Sequence, residues 1–355
     1  MAQINFGKTV SLHQAATIIS ANPENRYMLR GEPGIGKSSL LAVLGEKHPN
    51  HNVAYIDVPN MDLGDIAMPV VDHERRITRY YPNARFMLHE DKPVIIMLDE
   101  FTKGADPIKN MLHPLLEEAN PRLGDLPIHP KSIVFMTGNL GSDGVGDNMK
   151  AHTINRITPL TVRKPDADEW LTWALNNGVD AVVLAWVKQY PHALSSYIDG
   201  DQGDNPYIFN PKKVQPAFVS PRSLKRASNK IAVRHLFDED TLIAGLIGDL
   251  GEAAARDMQA YIAYQDQLPS WDSIIRSPKN TAVPNSPGAC SVLVFGAISK
   301  ITKDTMGPFM TYMNRFEAEW AACFAINVAK NPTKQNIAFS NKEFRDWVAE
   351  NEDLL

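Results

Sequence analysis

Gly31-Glu32-Pro33-Gly34-Ile35-Gly36-Lys37-Ser38 fits the pattern G-x-x-x-x-G-K-Ser/Thr at every position. Residues of these types at this spacing suit a phosphate cradle. The glycines let the backbone wrap close to a phosphate chain and aim N–H groups inward, and a helix beginning there adds its positive N-terminal end. Lys37 would hold the β- and γ-phosphates and Ser38 would ligate Mg²⁺, with Ser39 in the same turn, so residues 31–39 are the candidate contacts to ATP. Downstream, Asp99 and Glu100 end the apolar run Val94–Leu98. A carboxylate at that strand end would lie beside the phosphate loop. Asp99 would serve the Mg²⁺ shell and Glu100 would polarise an attacking water, whereas a kinase, whose nucleophile arrives with its substrate, needs no such glutamate. The plainer alternative is a solvated strand end.

Further candidates are single residues. Asn139 follows the apolar run Ser132–Met136 in Met-Thr-Gly-Asn; its amide can orient water or a γ-phosphate without titrating, although an Asn after Gly is also an ordinary turn residue. Arg156, in Thr-Ile-Asn-Arg-Ile, can stabilise transition-state charge on a neighbouring subunit's ATP, or simply be a surface arginine. Arg222 lies in Ser220-Pro221-Arg222, where Ser at the N-cap and Pro at N1 put it in a first helical turn. A cation there opposes the helix dipole, so an anionic partner such as a phosphate is a reasonable inference beside ordinary salt bridging. His113, His129 and His152 show no metal-ligand spacing, and no catalytic triad pattern is present.

The elements that must position these residues alternate. Strands are expected at Arg26–Leu29, Val53–Val58 (with Val53 and Tyr55 among its apolar residues), Val94–Leu98, Ser132–Met136 and Ile157–Val162. Helices are expected at 10–21, Ser38–Glu46 and Pro107–Ala119. This order predicts a parallel five-stranded sheet with ligands at the carboxyl ends of its strands, where every motif above falls. Beyond Pro165 the pattern turns helical: 166–176 with Asp166 as cap, 179–190 and 220–233, with a short strand expected only at Ser291–Phe295. The expected organisation is an α/β core at 1–165, an all-helical domain at 166–250 and a mostly helical region at 251–355 with an acidic, solvated end.

The 355 residues are 44% hydrophobic, enough for real cores, and the net charge of −5 weighs against bulk electrostatic binding to nucleic acid while leaving room for a local basic patch. Cys290 and Cys323 make no disulfide framework or metal site, so a reducing cytoplasm is the default. The first residues lack the apolar core of a signal peptide, and Ala181–Val187 and Thr241–Ile247 are too short to span a membrane, reading instead as faces of buried helices.

Taken together the motifs resemble the AAA+ ATPases, and within them the MoxR-like group, over about residues 10–235. The resemblance rests on 29–38, Met-Asp-Leu-Gly-Asp at 61–65, Met-Leu-Asp-Glu-Phe-Thr-Lys-Gly at 97–104, Leu-Leu-Glu-Glu at 115–118, Thr-Gly-Asn at 137–139, Asn-Arg-Ile at 155–157 and Ser-Pro-Arg at 220–222. It implies an AAA+ phosphate-loop core followed by a helical lid, with Asn139 as sensor asparagine, Arg156 as trans-acting arginine finger and Arg222 as the lid arginine. It further implies a homo-oligomeric ring, usually a hexamer, that remodels a protein partner, often one with a von Willebrand A domain. The sequence departs from the group at Phe101-Thr102-Lys103-Gly104, where Asn-Arg-Ala is usual after the glutamate, and at Ile157, where Phe is usual.

Residues 70–81 read as a β-hairpin turning at Asp72–Arg75, and 122–128 as a smaller one turning at Gly124-Asp125. In the related group both face the ring channel. Arg75, Arg76, Arg79, Tyr80 and Tyr81 suit polypeptide or stacked single-stranded nucleic acid, unless the aromatics simply pack on the domain. Three functions follow: a remodelling ATPase, a nucleic-acid motor or loader on the same core, or an assembly scaffold gated by slow hydrolysis.

Overall fold

The computed structural model describes residues 8–140 and 151–354. The chain divides into two compact units, 1–164 and 165–355.

The first unit is built on a parallel sheet of five strands: β1 (Arg26–Arg30), β2 (Asn52–Asp57), β5 (Val94–Asp99), β8 (Ile133–Gly138) and β9 (Thr158–Thr161), in the order β2-β5-β8-β1-β9. Two antiparallel hairpins stand apart from it, β3 (Ala67–Asp72) with β4 (Ile77–Pro82) and β6 (Arg122–Leu123) with β7 (Leu126–Pro127). The parallel five-stranded sheet matches the sequence reading.

Strand alternation explains why the sheet is covered twice. Tyr27, Leu29, Ile95, Met97, Ile133 and Phe135 point to one side, where they meet α1 (Leu12–Ala21) and α2 (Leu40–Lys47). Met28, Ala54, Ile56, Ile96, Leu98, Val134 and Met136 point to the other, packing with Ile108 and Leu112 of α3 (Asp106–Leu112). With both faces buried, β5 and β8 show no polar alternation. A capping box fixes the start of α1: the Ser11 hydroxyl accepts from the Gln14 N–H and the Gln14 side chain accepts from the Ser11 N–H.

Several boundaries differ from those expected. The helix after the glycine loop opens with a 3₁₀ turn at Lys37–Ser39, and the stretch from 106 passes into a second 3₁₀ turn at His113–Leu116. In β2 the buried pair is Ala54 and Ile56, while Val53 and Tyr55 are exposed, because β2 lies at the sheet edge. A short helix, α4 (Ala151–Ile154), precedes β9.

In the second unit the described residues contain no strand. Its helices are α5 (Ala167–Asn176), α6 (Ala181–Gln189), α7 (Pro221–Ala232), α8 (Glu239–Leu250), α9 (Glu252–Gln267), α10 (Trp271–Arg276), α11 (Pro287–Lys300), α12 (Lys303–Met313), α13 (Ala318–Ala329), α14 (Gln335–Ser340) and α15 (Lys342–Glu350). One hydrophobic cluster runs from Trp170 to Trp347. Ser291–Phe295, expected as a strand, lies inside α11: Ser286 caps that helix, Pro287 opens it, and it is apolar all round because it is buried. A five-residue apolar run cannot by itself distinguish these states. Residues 181–187 are buried throughout, as expected of a core helix, whereas in Thr241–Ile247 only Leu246 is fully buried. Nor is the chain end wholly solvated, since Trp347 packs into the core. Among the described residues no helix is long and apolar enough to cross a membrane.

Candidate functional site

Parallel register brings the carboxyl ends of the strands to one sheet edge, with Arg30 beside Gly138, Asp57 beside Asp99, and Arg30 also beside Thr161. Because β8 lies between β1 and β5, the loop after β1, the acids ending β5 and the residue after β8 converge there.

The loop after β1 takes its shape from glycine. Gly34 and Gly36 have φ of 77° and 104°, in the left-handed region. At the loop base a Cβ on Gly31 would come within 2.6 Å of Ile35 Cδ1 and 2.7 Å of the Val162 carbonyl oxygen. Lys37 Nζ donates to the carbonyls of Gly31 at 2.7 Å and Glu32 at 2.8 Å and lies 3.4 Å from Asn139 Oδ1. This places the ammonium at the loop centre and joins it to the strand-end amide. Glu32 is buried, and the Ser39 hydroxyl closes the turn by donating to the Gly36 carbonyl at 2.6 Å. Pro33, Ile35 and the glycines contribute backbone, with Ile35 also anchored in the core.

Asp99 is contacted by three hydroxyl side chains. The Ser38 hydroxyl lies 3.4 and 3.3 Å from its two oxygens, the Tyr55 hydroxyl donates to Oδ2 at 2.8 Å, and the Thr137 hydroxyl donates to Oδ1. Desolvation of the Tyr55 hydroxyl, then the hydrogen bond to Asp99 and its charge, push the phenol up to about 12. Thr137 also accepts from the Glu100 N–H at 3.0 Å. Glu100 has φ of 50°, a left-handed conformation costing a residue with a side chain about 1 kcal/mol. Its carboxylate pairs with Lys103 Nζ at 2.6 Å.

Lys37, Ser38, Asp99, Glu100 and Asn139 are thus brought together, by contacts running between Lys37 and Asn139, Ser38 and Asp99, and both acids and Thr137. Arg156 has other neighbours: its Nη1 lies 3.1 Å from His113 Nδ1 and 4.0 Å from Glu117 Oε1. His113, which shows no metal-ligand spacing in the sequence, is an arginine neighbour. Arg222 lies in the second unit, exposed in the first turn of α7, with Ser220 and Ser223 forming the capping box at that turn. His129 Nδ1 accepts from the Lys131 N–H, while the side chain of His152 lies outside the described residues. Among the described residues no group of three or more His, Cys, Asp or Glu is placed to hold a metal.

Sequence reading missed Tyr55, Thr137 and Lys103 as neighbours of the acids. A hydroxyl two residues before Asn139 was the available signal for Thr137, and the departure at 101–104 was the signal for Lys103.

The hairpins form a second feature. Met68, Val70, Val71, Ile77, Tyr80 and Tyr81 are exposed on β3 and β4, so the aromatics are not packed away. The Gly124-Asp125 turn clasps β4: the Tyr80 N–H donates to Asp125 Oδ2 at 2.7 Å, and the Asp125 N–H donates to the Tyr80 carbonyl at 2.9 Å. In the second unit, a cleft of about 700 Å³ between Arg234–Phe237, α8 and α9 offers little for phosphate chemistry, since Arg234 pairs with Asp266 at 2.6 Å.

Residues 26–157 match the family model described as AAA domain (dynein-related subfamily). The match runs from the first residue of β1 to the residue before β9 and contains the whole strand-end cluster, so this part of the chain is similar to an AAA domain. Among solved structures, NtrX from Brucella abortus in complex with ADP is similar at 12% identity and TM-score 0.41, covering 97% of this chain and 67% of that one. A putative ATPase from Cytophaga hutchinsonii is similar at 12% identity and TM-score 0.34, covering 68% of this chain and 81% of that one. No curated protein matches the chain.

Proposed function

We propose that this chain is a MoxR-like AAA+ enzyme that hydrolyses ATP in a homo-oligomeric, hexameric ring and uses the energy to remodel a protein partner. The carrying observation is the convergence of Lys37, Ser38, Asp99, Glu100 and Asn139 at one sheet edge. The donor set suits Mg²⁺: a hydroxyl and a carboxylate supply hard oxygens, few enough that phosphates and waters complete the shell. Bound with ATP, Mg²⁺ supplies neutralisation of charge on the β- and γ-phosphate oxygens.

The chain's own groups divide the remaining work. The backbone N–H groups of 31–39 and Lys37 bind the phosphates, Glu100 takes the proton of the attacking water, and Asn139 orients that water or the γ-phosphate. Arg156 acts on a neighbouring subunit's nucleotide, and Arg222 is an arginine for a nucleotide phosphate. A protein carrying a von Willebrand A domain is the partner type that the resemblance favours, and the cysteine usage favours a cytoplasmic setting for this chain. A second reading, contact with single-stranded nucleic acid, draws support from the exposed Arg75 and Arg76 of the hairpin turn and the exposed Tyr80 and Tyr81 further along β4.

The test is Glu100→Gln. The variant retains affinity for a fluorescent ATP analogue and loses most turnover; undiminished hydrolysis would remove Glu100 from the chemistry.

A further inference from the structure

We infer that Tyr55 is a positioning residue for Asp99, fixing the carboxylate for its part in the Mg²⁺ shell; this rests on the nucleotide reading above. Asp99 is held from both strands flanking β5. Thr137 of β8 donates to Oδ1, and Tyr55 of β2 donates to Oδ2 at 2.8 Å. One donor on each oxygen stops the carboxylate from rotating. The Ser38 hydroxyl, at 3.3 and 3.4 Å, straddles the two oxygens and is committed to neither. The remaining lone pairs of Asp99 are thereby aimed toward the phosphate loop.

The reach requires tyrosine. Asp57 is the register partner of Asp99, so Tyr55 begins two residues back along the neighbouring strand. At a rise of about 3.3 Å per residue, a serine or threonine there stops well short of the carboxylate, whereas the phenol spans the gap. The hydroxyl makes this bond although the residue as a whole is 52% exposed and adds little to the core. An exposed aromatic whose one polar atom is spent on an acid at the site is better explained by the acid than by packing.

The experiment is equilibrium binding of a fluorescent ATP analogue to the full chain as Mg²⁺ is titrated, for wild type, Tyr55→Phe and Tyr55→Ser, with thermal melting alongside. Partners of this kind change metal affinity by about 10- to 100-fold. Both variants are expected to raise the Mg²⁺ concentration at half-saturation by about tenfold, with metal-free affinity and melting temperature kept. A Tyr55→Phe curve coinciding with a Mg²⁺-dependent wild type overturns the role of Tyr55, as does equal loss of affinity with and without metal. Wild type that fails to bind the analogue, or binds it with no response to Mg²⁺, overturns the nucleotide reading itself.

Discussion

The ammonium of Lys103 lies 2.6 Å from Oε2 of Glu100, one turn further along the chain. The lysine lies in 101–104, the stretch where the sequence departs from the pattern it resembles, and the pair ties the proposed general base to its own 3₁₀ turn. With side chains 34% and 43% exposed, such a pair is worth up to about 1 kcal/mol. Lys103→Met is expected to raise kcat by up to about fivefold with KM unchanged, in steady-state ATPase assays. Added salt should raise the wild-type rate and leave the variant's flat. A fall in kcat would mean that the lysine aims the carboxylate instead of restraining it.

Arg156 rests against His113 and Glu117 of its own chain, in the turn that precedes β9. If it serves the next subunit, Arg156→Ala binds ATP normally and loses turnover by about a thousandfold. Mixing it with wild type then lowers activity by more than dilution. A loss merely proportional to the mixing ratio would confine Arg156 to its own subunit.

Asp180 caps α6, accepting from the Val182 N–H at 2.9 Å, and burial pushes its carboxyl above the usual range despite that bond and the charges of Arg234 and Lys300. The folded state therefore takes up this proton more readily than the unfolded chain. Its contribution to stability is greatest at low pH and declines as pH rises through the raised folded value. Asparagine caps a helix as well as aspartate and carries no charge. Asp180→Asn is expected to melt above wild type at about pH 7, with the gap narrowing toward about pH 4. A gap of constant size across that range would show that charge burial is not its source.

What the sequence disclosed depended on how local the signal was. Residues 31–38 are legible because one contiguous turn makes the cradle, and Val94–Leu98 because burial on both faces removes polar residues from the run. Tyr55 was hidden because its partner lies 44 residues away and its adjacent residues, Ala54 and Ile56, are apolar. Arg156 was visible as a type, but its setting beside His113, 43 residues earlier, was not. In Ser291–Phe295 the composition suits strand and buried helix alike, and the cap at Ser286 decides. The two hairpins were each readable from turn residues, whereas the clasp of Asp125 on Tyr80 depends on tertiary placement.

The seven consecutive buried residues of α6 limit how the second unit can be divided. A helix apolar on every side needs a neighbour on every side, and α6 finds its neighbours in α5, α7, α9 and α11. Two of these come after residue 250. A truncated chain ending there would keep the capped helices yet leave the flank of α6 open, a sticky seam prone to self-association. Closing the flank of α6 requires the chain through Lys300, and α11 in turn packs on α13 in a cluster that runs to Trp347, so deletion mapping of partner binding in this half should not cut inside that cluster.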